Sequence, residues 1–255
     1  MDLALPTEGL SKYKSLSQRA RISSESWAAR ELYCPRCVSD SLAVLPGNTP
    51  VVDFRCPTCA SGYQLKSGAS AFRSKLTDGA YEQMRGAIRS GRTPNLLLLQ
   101  YQQNPASVVA LTFVPDFAFT LSALECRPPL SPTARRAGWI GCNILLHRIP
   151  SDARINLVED RKPVPAVEVR RAFRKLKPLA SLKTDARGWT LDVLNIVRAL
   201  NKNEFNLAEV YAKESSLAQL HPNNSHVRPK IRQQLQILRD LGLLIFLGNG
   251  SYRLL

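Results

Sequence analysis

Apolar positions recur along the chain in two rhythms that divide it. Through the first two thirds, short apolar runs dominate. Val51-Val52-Asp53-Phe54 and Tyr63-Gln64-Leu65-Lys66 read as neighbouring strands, and residues 96–101, 108–114 and 154–158 as further strands. Residues 12–32 suit one or two basic helices, 79–88 a helix, and 167–177 a basic helix that closes the domain. Pro46, Gly47, Asn48 and Pro50 break the pattern early, and the Pro- and Arg-rich stretch 127–136 predicts a long loop. The expected class is mixed α/β (α+β).

From residue 183 onward the period lengthens. The pattern predicts a helix over 191–200, a short strand at Glu204-Phe205, and a helix opened by Asn206 with Glu209 three positions on as a capping pair. A further helix over 227–241 sets Ile231, Leu235 and Leu238 on one face and is stopped by Gly242. Strands at 243–246 and 252–254 flank a Gly248-Asn249-Gly250 turn. Three helices and a terminal hairpin make a winged helix, so the expected division is residues 1–182 and 183–255.

Composition adds a partner to this outline. Thirty-five Lys and Arg against 20 Asp and Glu leave +15 over 255 residues, a field that attracts polyanions and exceeds what solubility requires. Nucleic acid is the leading expectation, with a zinc-ribbon RNA-binding protein as another reading of the same charge. The longest apolar runs, at 96–99 and 243–247, fall far short of the roughly 18 residues of a membrane span. Residues 1–10 lack a basic start followed by an apolar block, so no membrane partner is expected and the location read is the bacterial cytoplasm.

Four of six cysteines form two matched pairs, Cys34-Pro35-Arg36-Cys37 and Cys56-Pro57-Thr58-Cys59, with 18 residues between them. Each two-residue spacer lets a tight knuckle aim two sulfurs at one ion, and two knuckles complete a tetrahedral thiolate set for zinc. Disulfides are disfavoured without an export signal. Four thiolates leave no open position, so the expected zinc is structural. Cys126 and Cys142 stand alone and read as buried thiols.

The second pair falls between the two candidate strands that hold Asp53, Gln64 and Lys66. A carboxylate on one strand and an acidic-x-Lys on the next is the PD-(D/E)xK nuclease pattern. Residues two apart on a strand share a face, so Gln64 and Lys66 can both face Asp53 while Leu65 points into the core. Magnesium at Asp53 and Gln64 would stabilise charge on the phosphodiester, and Lys66 would position or activate the attacking water. The spacing alone recurs in many proteins. In the winged helix, Arg228, Arg232, Gln233 and Arg239 lie opposite the apolar face of the last helix, and Asn223, Asn224, Ser225 and His226 form the turn before it; these would meet DNA. A small winged helix can also serve as a protein-docking module.

The chain from about Leu10 onward resembles the DpnI-like methyl-directed type II restriction endonucleases. The residues that carry this are the paired cysteines, Val52-Asp53-Phe54, Leu65-Lys66-Ser67, Asp78-Gly79-Ala80-Tyr81, the run from Pro132 to Ile144, Arg187-Gly188-Trp189-Thr190 and the run from Lys230 to Asp240. The resemblance implies magnesium-dependent cleavage of double-stranded DNA at GATC carrying N6-methyladenine, a PD-(D/E)xK domain with an inserted zinc site, and a winged helix that also reads DNA. It suggests a monomer and a blunt cut. Gln64 stands where that nuclease pattern has an acidic residue, and a neutral amide brings magnesium an oxygen without charge or basicity. A weakened or inactive methyl-DNA-binding regulator is the alternative.

An N6-methyl group adds apolar surface in the major groove, so its reader needs an apolar or aromatic wall. Trp139, on the loop with Arg135 and Arg136, is the candidate in the first domain, and Trp189 the candidate in the second; the alternative is that both are core residues. One buried methyl contributes about 0.8 kcal/mol, roughly a fourfold preference. Two readers, each inspecting a palindromic site, multiply that preference.

Overall fold

The computed structural model describes residues 1–46, 49 and 51–255. Of the four breakers expected between the knuckles, Gly47, Asn48 and Pro50 therefore lie outside the described residues. In chain order the elements are α1 (Leu16–Glu31), β1 (Ala43–Val44), β2 (Phe54–Arg55), β3 (Gly62–Gly68), β4 (Lys75–Ala80), α2 (Tyr81–Arg89), β5 (Asn95–Gln103) and β6 (Ala106–Val114). There follow β7 (Leu124–Cys126), β8 (Gly141–Leu145), β9 (Ile155–Glu159), β10 (Lys162–Pro163) and α3 (Ala166–Leu176). The last are α4 (Thr184–Ala199), β11 (Glu204–Asn206), α5 (Leu207–Tyr211), α6 (Glu214–Leu220), α7 (Val227–Asp240), β12 (Leu244–Gly248) and β13 (Ser251–Leu254). The fold is mixed α/β. No helix among the described residues is long and apolar enough to cross a membrane.

Two compact units are drawn from interleaved segments. The first takes Met1–Arg73, Thr93–Asp116 and Asp152–Arg174; the second takes Ser74–Arg92, Phe117–Ser151 and Lys175–Leu255. The expected boundary at 182/183 falls inside the second unit.

The first unit is built on a seven-stranded sheet in the order β1-β2-β3-β5-β6-β9-β10, antiparallel except between β3 and β5. Leu96, Leu97, Leu98 and Leu99 on β5 are all buried, as a central strand covered on both faces requires. Trp27 of α1 is fully buried, its indole N–H donating to the Asp2 carbonyl at 2.8 Å. The strand expected over 51–54 is cut to Phe54–Arg55. Val51 sits at φ +66°, a left-handed conformation that a β-branched residue takes at a cost, and this breaks the strand. Leu65, expected in the core, is half-buried, because β3 lies beside short β2 and is covered there only in part.

The second unit contains a sheet that the residue pattern did not reveal, β4-β8-β7, and a second, β11-β13-β12, with α4 to α7 around it. Four helices therefore replace the expected three, and α4 begins at Thr184, seven residues earlier than its apolar face suggests. The capping box forms as expected, Asn206 Oδ1 accepting from the Glu209 N–H at 3.0 Å and Glu209 Oε2 from the Asn206 N–H at 2.9 Å. After α7, Gly242 (φ +70°) donates to the Arg239 carbonyl and Leu243 to the Leu238 carbonyl, both at 2.9 Å, which is a Schellman ending. Cys142 is buried, but Cys126 is exposed at the end of β7, so only one of the two lone cysteines is a core thiol.

Candidate functional site

The four paired cysteines converge. Their Sγ atoms all lie within 4.8 Å of one another, with Cys34 and Cys59 3.7 Å apart and Cys37 and Cys56 3.5 Å apart. A tetrahedral zinc with Zn–S near 2.3 Å sets its sulfurs about 3.8 Å apart, so the residues present fit that ion. Burial pushes the Cys34 thiol up to about 12. Burial opposes ionisation at Cys56, but the Cys59 and Thr58 N–H groups together with the Cys37 and Cys59 side chains outweigh it and bring that thiol down to about 6. The first knuckle is anchored by cations the spacing did not flag. Arg36 Nη1 donates to Asn95 Oδ1 at 3.1 Å and to Asp116 Oδ2 at 2.7 Å. Arg170 of α3 donates to the Cys34 carbonyl at 3.2 Å and the Ser39 carbonyl at 2.9 Å.

The second knuckle leads into β3, and Asp53 just before β2 is held against that strand. The Asp53 N–H donates to the Tyr63 carbonyl at 2.8 Å, and its Oδ2 accepts from the Leu65 N–H at 2.7 Å. Asp53 is thus bonded to the two residues that flank Gln64. Gln64 and Lys66, two apart on β3, share a face by strand alternation and are both half-buried. On α1, Arg21 pairs with Glu25 at 2.6 Å; this bond and the Glu25 charge raise the guanidinium's pKa, and the Asp53 charge adds a smaller push. Sequence reasoning missed this pair, because nothing in a basic helix marks which arginine comes within the field of a distant carboxylate.

In the second unit, the stretch expected to be a loop is a closed hairpin without strands. Leu130 N–H donates to the Trp139 carbonyl at 2.9 Å and Gly138 N–H returns to the Leu130 carbonyl at 3.1 Å. Its tip exposes Arg135 and Arg136, and the Arg136 guanidinium lies 4.5 Å from the centre of the half-buried Trp139 ring. That ring occupies the space over Gly141, where an added Cβ would stand 2.7 Å from it.

Trp189 is different. It is buried and stacks on His221 at 3.8 Å and 15°. His221 Nε2 lies 2.8 Å from Asp192 Oδ2, and Ser122 Oγ donates to Asp192 Oδ1 at 2.7 Å. Trp189, His221, Asn223 and Asn224 line a cavity of about 870 Å³ rimmed by Arg89 and Lys183. Asn223, Asn224, Ser225, His226 and Gln233 line a second one of about 460 Å³. The recognition-helix arginines are engaged within the domain: Arg228 with Glu214 at 2.7 Å, and Arg232 with the Tyr211 hydroxyl. Arg239 is paired with Asp240 at 2.9 Å. The Asp192–His221 link escaped the sequence, since neither residue carries a motif and they lie 29 positions apart.

A basic winged-helix domain joined to a sheet domain with a four-cysteine centre has the make-up of a DNA-binding protein. The chain belongs to the DpnI, Dam-replacing family, whose model matches residues 1–182, while the model of the Dam-replacing HTH domain matches residues 185–254. Membership implies a methyl-dependent restriction endonuclease.

Proposed function

We propose that the protein hydrolyses both strands of double-stranded DNA at GATC sites carrying N6-methyladenine, with magnesium held by Asp53 and Gln64 and structural zinc held by Cys34, Cys37, Cys56 and Cys59. The observation that carries this reading is the pair of hydrogen bonds tying Asp53 to Tyr63 and Leu65, on either side of Gln64. A carboxylate and an amide oxygen are hard donors suited to magnesium. When bound, that ion stabilises the charge that develops on the phosphodiester oxygens. The Leu65 N–H fixes the Asp53 carboxylate in one orientation, and Lys66, on the Gln64 face, holds the attacking water and offsets negative charge at the phosphate.

In this reading residues 1–182 cut and read, and residues 183–255 read. Arg135 and Arg136 bind backbone phosphates beside Trp139, which meets the methyl group. The turn Asn223, Asn224, Ser225, His226 and the α7 side chains Arg228, Arg232 and Gln233 meet the major groove. Trp189 reads a methyl group through the cavity it shares with Asn223 and Asn224, from beneath rather than from an exposed position. The protein acts as a monomer in the bacterial cytoplasm.

The test is incubation of the purified protein and magnesium with matched methylated and unmethylated plasmids. Cutting of the methylated plasmid alone is expected. No cutting defeats the catalytic reading, and equal cutting of both defeats methyl reading. Gln64 favours a second reading, a methyl-DNA-binding regulator with weak or no nuclease activity; metal-independent gel shifts without cleavage would support it.

A further inference from the structure

Tyr63 touches both the cysteine centre and the Asp53 patch. Its side chain is fully buried, with its hydroxyl 3.0 Å from Cys34 Sγ and its ring 6.2 Å from that of Phe113. Its backbone carbonyl accepts the Asp53 N–H at 2.8 Å. The residue after it is Gln64. On either side, Tyr63 is in register with Phe54 of β2 and Asn95 of β5. Asn95, itself buried, donates to the Gly62 carbonyl at 2.8 Å and accepts from Arg36 of the first knuckle at 3.1 Å.

A phenol buried this deeply costs free energy unless its O–H finds an acceptor, and a phenylalanine would fill the same space without that demand. The partner here is a sulfur of the metal-ligand set, which as a metal-bound thiolate can only accept. Donors to ligand sulfurs fix the orientation of the ligand and tune its hold on the metal. The same side chain is thereby anchored by whatever holds Cys34.

We propose that Tyr63 is a positioning residue that transmits the geometry of the zinc centre to the magnesium site. With Cys34 clamped by zinc, the hydroxyl is fixed from one side; the Tyr63 backbone then sets where Asp53 and Gln64 stand. Without that anchor, β3 keeps its ladder to β5, but the Asp53 bend, which is joined to β3 through Tyr63 and Leu65, loosens. The inference rests on the reading of Asp53 and Gln64 as the magnesium ligands.

The test compares wild type, Tyr63→Phe and Asp53→Asn as full-length chains, each with one zinc per chain by metal analysis. Manganese stands in for magnesium and its binding is followed by electron paramagnetic resonance without DNA. Asp53→Asn is expected to lose manganese binding, and Tyr63→Phe to weaken it roughly tenfold while unfolding at nearly the wild-type temperature. A chromophoric chelator is expected to draw zinc from Tyr63→Phe about 10–100 times more readily. Unchanged manganese affinity in Asp53→Asn removes the magnesium reading, and the inference with it. Loss in Asp53→Asn with wild-type affinity in Tyr63→Phe overturns the inference alone. Should Tyr63→Phe fold poorly, hydrogen exchange in the wild type decides: withdrawing zinc must speed exchange at the Asp53 and Leu65 amides more than at the β5–β6 amides, and equal change overturns the coupling.

Discussion

The Asp53 carboxylate accepts a 2.7 Å hydrogen bond from the Leu65 backbone N–H, so the side chain that would bind metal also ties the chain just before β2 to β3, across the hairpin that carries the second knuckle. An asparagine can keep that bond through its amide oxygen while losing the charge. Asp53→Asn is therefore expected to fold and bind methylated DNA as wild type does, yet cut at least on the order of 10²-fold more slowly, the scale seen when one preorganised charge-stabilising group is removed. Single-turnover cleavage beside a gel shift measures both. Cutting within a few-fold of wild type would exclude Asp53 from the chemistry.

Gln64 supplies an amide where a carboxylate would add charge. Gln64→Glu brings a second anion beside Asp53, which tightens a divalent cation and makes its binding more sensitive to acid, because protons then compete for two like-charged carboxylates. The expected result is a lower magnesium concentration for half-maximal cutting near pH 8, with the advantage shrinking as the pH falls toward 5. If only this variant cuts, the natural protein is a weakened nuclease and the regulator reading gains.

Because the cysteine centre touches Tyr63 on β3, the residue before Gln64, removing zinc is expected to stop cutting even in abundant magnesium. The measurement is cleavage by chelator-treated protein before and after zinc is restored. Full activity without zinc would separate the two metals.

The parts of the fold that could be read along the chain are those where local chemistry decides. The two CPxC knuckles, the Asn206–Glu209 box and the Gly242 ending each depend on a few neighbouring residues, and each stands where the sequence put it. The β4-β8-β7 sheet was missed because its strands are 6, 5 and 3 residues long and it pairs distant segments, so no window of apolar periodicity contains it. Asp53 and Lys66 were visible as a spacing. The links made by Tyr63, Asn95 and Arg36 were not, since they are hydrogen bonds between segments that only the assembled fold brings together.

Trp139 rests over Gly141, and this gives a way to move the ring without deleting it. Gly141 does not have a left-handed backbone, so alanine is tolerated there by the main chain, but its Cβ would stand 2.7 Å from the ring. The ring, being the far end of a side chain, must shift. Gly141→Ala is expected to lower the preference for methylated over unmethylated DNA by at least about fourfold, the worth of one buried methyl, and Trp139→Ala to do the same. Competition binding with paired duplexes checks this. Unaltered preference in both variants would return Trp139 to a packing role.

The Asp192 carboxylate is nearly sealed from water, its side chain 2 % exposed, and is held by Ser122 Oγ at 2.7 Å and by His221 at 2.8 Å. Removing one partner of a buried pair leaves a charge without compensation, whereas removing the charge as well relieves it. His221→Ala is thus expected to destabilise the folded state by about 3 kcal/mol, and the double variant Asp192→Asn/His221→Ala by less than His221→Ala alone. Trp189 stacks directly on His221, so its fluorescence reports on the transition in denaturant. The pocket walls formed by Asn223 and Asn224 follow His221 in the chain, so His221→Ala should also weaken DNA binding at temperatures where the protein is still folded. Equal midpoints for wild type and His221→Ala would mean that the carboxylate is satisfied without His221, and the anchoring of the Asn223–Asn224 turn would need another source.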